Sequence, residues 1–208
     1  MRIAIAMISA LTVLLVLAGA GFVYSGAYYV GADQPHWSVV AWALDQARIR
    51  SIRAHASGIT VPSDFDHPDR IVVGVSHYAD HCAVCHGAPG VERGEIADGL
   101  YPRPPNLADA ARLYTPSELF WILKHGIRMT GMPAWGDHSD DELWATVALI
   151  EKLPGMTDQG YANLIEASRA VVGHHHDTQE PQSTPRQPAE KDHDHSAGHH
   201  DHLPGHDH

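Results

Sequence analysis

The chain has 208 residues, room for one modest domain with extensions. It carries 14 Lys and Arg against 25 Asp and Glu, a net charge of −11 with histidine neutral. That balance argues against nucleic acid as a partner and suits steering toward basic patches on other proteins.

Arg2 opens an apolar run that continues to Phe22-Val23, with no further charge until Asp33. About 20 such residues suffice to cross a bilayer as a helix, so residues 1–30 are expected to be a transmembrane anchor. Ala18-Gly19-Ala20 resembles a cleavage site, which makes a removed signal segment the alternative. Signal apolar cores are usually shorter, and Tyr24, Tyr28 and Tyr29 suit the interfacial belt of a retained anchor. Arg2 should stay on the cytoplasmic side, so both readings export the rest of the chain. Residues 31–60 read as a juxtamembrane helix. Trp37, Val40, Leu44, Ala47 and Ile52 recur at near-helical spacing, with Arg48, Arg50 and Arg53 mostly on other faces. Such a helix can lie on lipid or pack on the main domain, and both remain open.

Residues 61–172 read as the compact domain. His67-Pro68 starts a helix that leads through Gly74 and Tyr78 to Cys82, although Ile71-Val72-Val73 are poor helix formers. Both cysteines of the chain then stand in Cys82-Ala83-Val84-Cys85-His86, the C-x-x-C-H spacing that attaches a c-type haem. The two thiols can add to the vinyl groups of one porphyrin, and His86 can take an axial position on its iron. A structural zinc site needs about four Cys or His ligands, and no second C-x-x-C is present. A redox C-x-x-C follows a strand in a βαβ pattern, and none surrounds this one. Two cysteines without a ligand are the remaining alternative.

A loop rich in glycine and proline spans residues 87–106. A loop of that length is unusual in a small domain unless a cofactor offers its side chains an apolar surface. Thr115-Pro116-Ser117-Glu118 is a capping box with proline at the first helical position, and Gly126 stops the helix it opens. The sixth iron position has its candidates just beyond. In Gly131-Met132-Pro133, glycine permits close backbone approach and proline holds Met132 extended, so Met132 is preferred. Met129, His125 and His138 are the alternatives. Ser139-Asp140-Asp141-Glu142 is a second capping box, opening a helix closed by Pro154-Gly155. Thr157 caps a last helix reaching Gly173. No alternating strand pattern occurs, so the fold class is all-α.

Residues 173–208 read as a disordered, histidine-rich tail: proline, glutamine, serine and acids predominate. His174, His175, His176, His193, His195, His199, His200, His202, His206 and His208 alternate in part with aspartate, a composition suited to Cu(II), Ni(II) or Zn(II). A solvated tail that only titrates near neutral pH is the alternative.

Cys82 to His86, Pro104-Pro105-Asn106-Leu107 and Gly131-Met132-Pro133-Ala134 together resemble the class I cytochrome c family, over roughly residues 65–153. The resemblance is closest to small, membrane-anchored bacterial monohaem members. It implies one covalently bound haem c held by Cys82 and Cys85, with His86 and Met132 as axial ligands. It implies that the Pro105 carbonyl accepts the Nδ1–H of His86, and that Gly74 and Tyr78 lie where the first helix crosses the last, near residues 144–149. The function implied is one-electron carriage between redox donor and acceptor proteins, not catalysis. The place implied is a bacterial inner membrane, with the domain on the periplasmic side, or the periplasm itself after signal cleavage. A haem reaction centre for peroxide or nitrite, and a metal buffer built on the tail, are the competing functions.

Overall fold

A computed structural model describes residues 1–176, with side chains to residue 170. Among the described residues the chain forms nine helices and no strand, only an isolated bridge between Ala88 and Val91. They are α1 (Arg2–Tyr24), α2 (Ser38–Ala56), α3 (Pro68–His81), α4 (Ala83–His86), α5 (Glu95–Asp98), α6 (Leu107–Leu113), α7 (Pro116–His125), α8 (Asp140–Lys152) and α9 (Asp158–His176).

α1 has 23 residues and buries none of them. At helical rise it is about 34 Å long, enough to cross a hydrocarbon core of about 30 Å. Length and composition fit a membrane anchor or an export signal equally. Aromatic side chains link its end to the rest of the chain. Tyr28 packs edge-on against Trp37, Trp37 meets Phe22, and the backbone N–H of His36 donates to the Tyr101 hydroxyl at 3.1 Å.

α2 divides along its length. Its C-terminal half packs on α7: Ile52 and Ala56 are buried, Arg53 pairs with Glu118, and the His55 ring stacks on Trp121. Leu44 and Ala47 remain exposed, as do Trp37 (54%) and Trp42 (65%). The expected apolar stripe is therefore not one buried face. Apolar packing holds the helix at its C-terminal end, and polar contacts tie the rest: Arg48 donates to the Tyr114 hydroxyl, and His36, just before the helix, to that of Tyr101.

The core forms around α8, whose residues Leu143 to Ile150 are all buried. A helix apolar on every side needs neighbours all round, and α3, α6 and α7 supply them. The capping box of Ser139 and Glu142 starts α8, and the one of Thr115 and Glu118 starts α7. Each cap contributes about 1 kcal/mol. α3 begins as expected, with the His67 side chain accepting from the Asp69 N–H and Pro68 in the first turn. It stays helical through Ile71-Val72-Val73 because Gly74, Val75 and Tyr78 bury one face against α8, and such packing outweighs propensity.

Three boundaries differ from expectation. The one-turn α5 lies inside the loop of residues 87–106. α6 comes next, capped by Asn106, whose side chain accepts from the Ala108 N–H at 2.8 Å. α9 continues through His176, so the boundary at residue 172 falls inside a helix and His174, His175 and His176 belong to its last turn. No proline occurs within residues 158–176, and the helix runs on through Gly173.

α3 and α8 approach so closely that a Cβ on Gly74 would overlap the carbonyl oxygen of Ala145. Backbone cannot move aside as a side-chain tip can. Gly74→Ala should therefore destabilise the domain by at least about 1–3 kcal/mol. Gly58→Ala, where a Cβ meets nothing within 4 Å, should stay within about 0.5 kcal/mol. Thermal melting of the two variants against wild type checks the contrast.

Candidate functional site

α3 ends at Cys82, and α4 continues for one more turn through hydrogen bonds from the Cys85 and His86 N–H groups to the Cys82 carbonyl, at 3.1 and 2.9 Å. Positions i, i+3 and i+4 of a helical turn share a face. Cys82, Cys85 and His86 consequently line one cavity of about 550 Å³, a size suited to a cofactor. Its other walls come from the proline-rich loop, from Leu119, Ile122 and Leu123 of α7, and from Ile127, Met132 and Trp135 beyond it. Arg48 of α2 and Arg103 also line it. Asp109 and Asp45, the latter paired with Arg48 at 3.1 Å, line it as well; apolar walls, two thiols and two guanidinium groups fit an apolar macrocycle that bears acid groups.

The state of His86 is set by one contact. Its Nδ1 lies 2.8 Å from the carbonyl oxygen of Pro105. A carbonyl only accepts, so Nδ1 carries the proton and Nε2 keeps a free lone pair. Burial lowers the pKa of His86, and the Arg93 charge lowers it further against the opposing pull of the Pro105 bond. The ring is thus neutral and able to ligate iron. Arg93 also donates to the Pro104 carbonyl at 2.7 Å, so both proline carbonyls of this loop are held. Nothing in the sequence marked Arg93, because its partner is a backbone atom 11 residues away.

Burial pushes the Cys82 thiol up to about 12. A thiol held neutral in this way is a poor exchange nucleophile, which weighs against a dithiol redox site. Behind it, the buried Tyr78 hydroxyl donates to the Gly87 carbonyl at 2.6 Å and ties α3 to the turn after the motif. Burial raises the Tyr78 pKa well above its usual value, so it remains a donor.

Of the four candidate sixth ligands, Met132 lines the cavity. Its loop is stapled from within. Ile127 N–H donates to the Met132 carbonyl at 3.2 Å, the Met132 N–H donates to Thr130 Oγ1 at 3.1 Å, and that hydroxyl donates to the Ile127 carbonyl at 2.7 Å. A Cβ on Gly126, which has φ +64°, would lie 2.6 Å from the Pro133 carbonyl carbon, so the loop closes over bare backbone. Met129 stands in the left-handed region and is 79% exposed. His125 is exposed and packs on Trp121, whereas His138 packs with His77 and His81. The tail ligands expected at His193, His195, His199, His200, His202, His206 and His208 lie outside the described residues, as do the side chains of His174, His175 and His176.

Residues 69–150, nearly all of the stretch from α3 through α8, match the family model described as Cytochrome C oxidase, cbb3-type, subunit III. A comparison with curated proteins finds no match to the chain. The matched segment is a c-type cytochrome domain, a kind that binds haem c covalently and serves in haem-based electron transfer.

Two tyrosines make opposite demands here. Tyr78→Phe leaves the buried Gly87 carbonyl without its donor and should cost about 1–3 kcal/mol. Among the described residues the Tyr161 hydroxyl is buried without a partner, so Tyr161→Phe should be neutral or stabilising. Denaturant midpoints of the two variants check this.

Proposed function

We propose that the c-type cytochrome domain of residues 69–150 is a membrane-tethered one-electron carrier. It holds one haem c by thioethers to Cys82 and Cys85, with His86 and Met132 as axial ligands. The observation that carries this reading is the Pro105 contact: it leaves a lone pair on His86 Nε2, on the wall of a cavity that Met132 also lines. When bound, the haem supplies reversible one-electron chemistry at its iron. Pro105 sets the orientation and basicity of His86, as partners of a ligating histidine do. Met132, on the same cavity, would offer the iron a soft thioether, a ligand type that favours the reduced state and raises the potential. Arg48 and Arg103 offer charge partners for the acid groups of the macrocycle. With His86 and Met132 both bound to the iron, no position would be left for peroxide or nitrite, which favours electron transfer.

α1 keeps this domain at a bacterial inner membrane, on the periplasmic side, within reach of membrane-bound donors and acceptors. The matched family is named for a subunit of an oxidase, and that name favours a second reading in which the carrier works inside a larger complex. The tail histidines add a capacity for Cu(II), Ni(II) or Zn(II) separate from electron carriage.

Met132→Ala should abolish the thioether–iron charge-transfer band of the oxidised protein and let the reduced protein bind carbon monoxide. Met129→Ala should change neither. Visible spectra of the purified variants check this, and loss of the band in the Met129 variant alone would move the ligand there.

A further inference from the structure

Away from the axial ligands, three histidines distant in the chain meet. His77 and His81 sit one turn apart on α3, and His138 comes from the loop before α8. One ring nitrogen from each lies within 4.8 Å of the other two. Three imidazoles this close bring nitrogen lone pairs to a point where one cation could bind them together.

We propose that His77, His81 and His138 form a binding site for one divalent transition-metal ion of the Zn(II) class, with the fourth position left to water. Three imidazoles with an open position match the donor number and type that Zn(II) takes in proteins. Tetrahedral Zn(II) with bonds of about 2.0–2.1 Å requires nitrogens about 3.4 Å apart. His77 Nε2 and His138 Nδ1 already lie 3.1 Å apart, and exposed His81 can move in from solvent.

The hydrogen bonds behind His77 show a built ligand. Thr146 on α8 is fully buried, and its hydroxyl donates to the Glu142 carbonyl at 2.9 Å. Its oxygen is then the acceptor for His77 Nδ1, at 3.0 Å. That bond puts the His77 proton on Nδ1 and leaves Nε2 with a free lone pair facing His138, the arrangement that outer partners impose on metal-ligating histidines. Without an ion, His138 Nδ1–H donates to that lone pair. With one, the proton moves to His138 Nε2 and both facing nitrogens bind, with no net change in the charge of the ring. Burial, with His81 and His138 nearby, lowers the pKa of His77 against the opposing charges of Glu142 and Asp80, which favours the neutral ligating form. Trp135 closes the cluster from the side, its ring 6.1, 5.0 and 5.4 Å from those of His77, His81 and His138. A hydrogen-bonded pair would explain two of these rings. The third, from exposed His81, brings another imidazole to the same point.

The ligands lie outside the tail, while His81 and Trp135 also line the haem cavity, so the test removes the tail histidines and keeps the haem in place throughout. The full-length protein is prepared with the ten histidines of residues 174–208 replaced by asparagine, and titrated with Zn(II) by calorimetry. The expected result is uptake of one equivalent, weakened at least tenfold by His81→Asn and by His138→Asn. Thr146→Val should weaken it about tenfold while all three ligands remain. His81 is exposed, so His81→Asn tests the site without endangering the fold, and an unchanged melting temperature confirms that. No uptake by the parent protein, or uptake whose affinity His81→Asn and His138→Asn leave unchanged, overturns the proposal.

Discussion

The approach of α3 to α8 at Gly74 governs where everything else falls. With no side chain between Gly74 and the Ala145 carbonyl, the two backbones nearly touch, and the axis of α3 is fixed against the most buried helix of the domain. Everything chemical on α3 then lies at a set distance from that crossing. One turn on, Tyr78 reaches the Gly87 carbonyl. Two turns on come Cys82 and the short turn that ends in His86. His77 and His81, on the same helix, meet a residue that leads into α8. A bulkier residue at position 74 would move the cysteine turn and the histidine cluster together.

The opposite wall of the cavity is made of loop, and loops need other means of staying in place. The proline-rich segment is held through its carbonyls, Pro104 by Arg93 and Pro105 by His86. The methionine loop is held by its own hydrogen bonds through Thr130, and by Trp135 N–H donating to the Leu123 carbonyl at 3.1 Å. These bonds fix backbone and leave the side chains of Met132, Ile127 and Trp135 to face a guest. A domain of this size can keep such loops because the apolar area they bury is meant to be the cofactor's. Two guanidinium groups and a neutral imidazole on the lining answer the polar parts of the same guest.

What is legible in the chain divides along chemical lines. C-x-x-C-H is local, with its meaning contained in five residues, and the capping boxes at Thr115 and Ser139 are equally local and lie where expected. Met132 could be preferred because glycine and proline flank it. The short α6 escapes notice because Asn106 ends a proline-rich run and the helix has only seven residues. α2 is harder for another reason. Its half-packed state depends on where Ile52, Ala56 and His55 meet α7, which spacing along α2 does not encode. The histidine cluster is the sharpest case. His77 and His81 have the i, i+4 spacing of a helical ligand pair, but the third member stands 61 residues from the first, and the dense histidines of the tail draw the metal reading away.

The cavity, the tautomer of His86 and the place of Met132 have a common sense only if a porphyrin is bonded to both cysteines. Intact-mass measurement on the full chain, isolated from membranes of a host that matures c-type cytochromes, tests that bond most directly. The expected mass is that of the polypeptide plus one haem, with no free thiol at Cys82 or Cys85. A mass equal to the polypeptide alone, with both thiols open to alkylation, would contradict it.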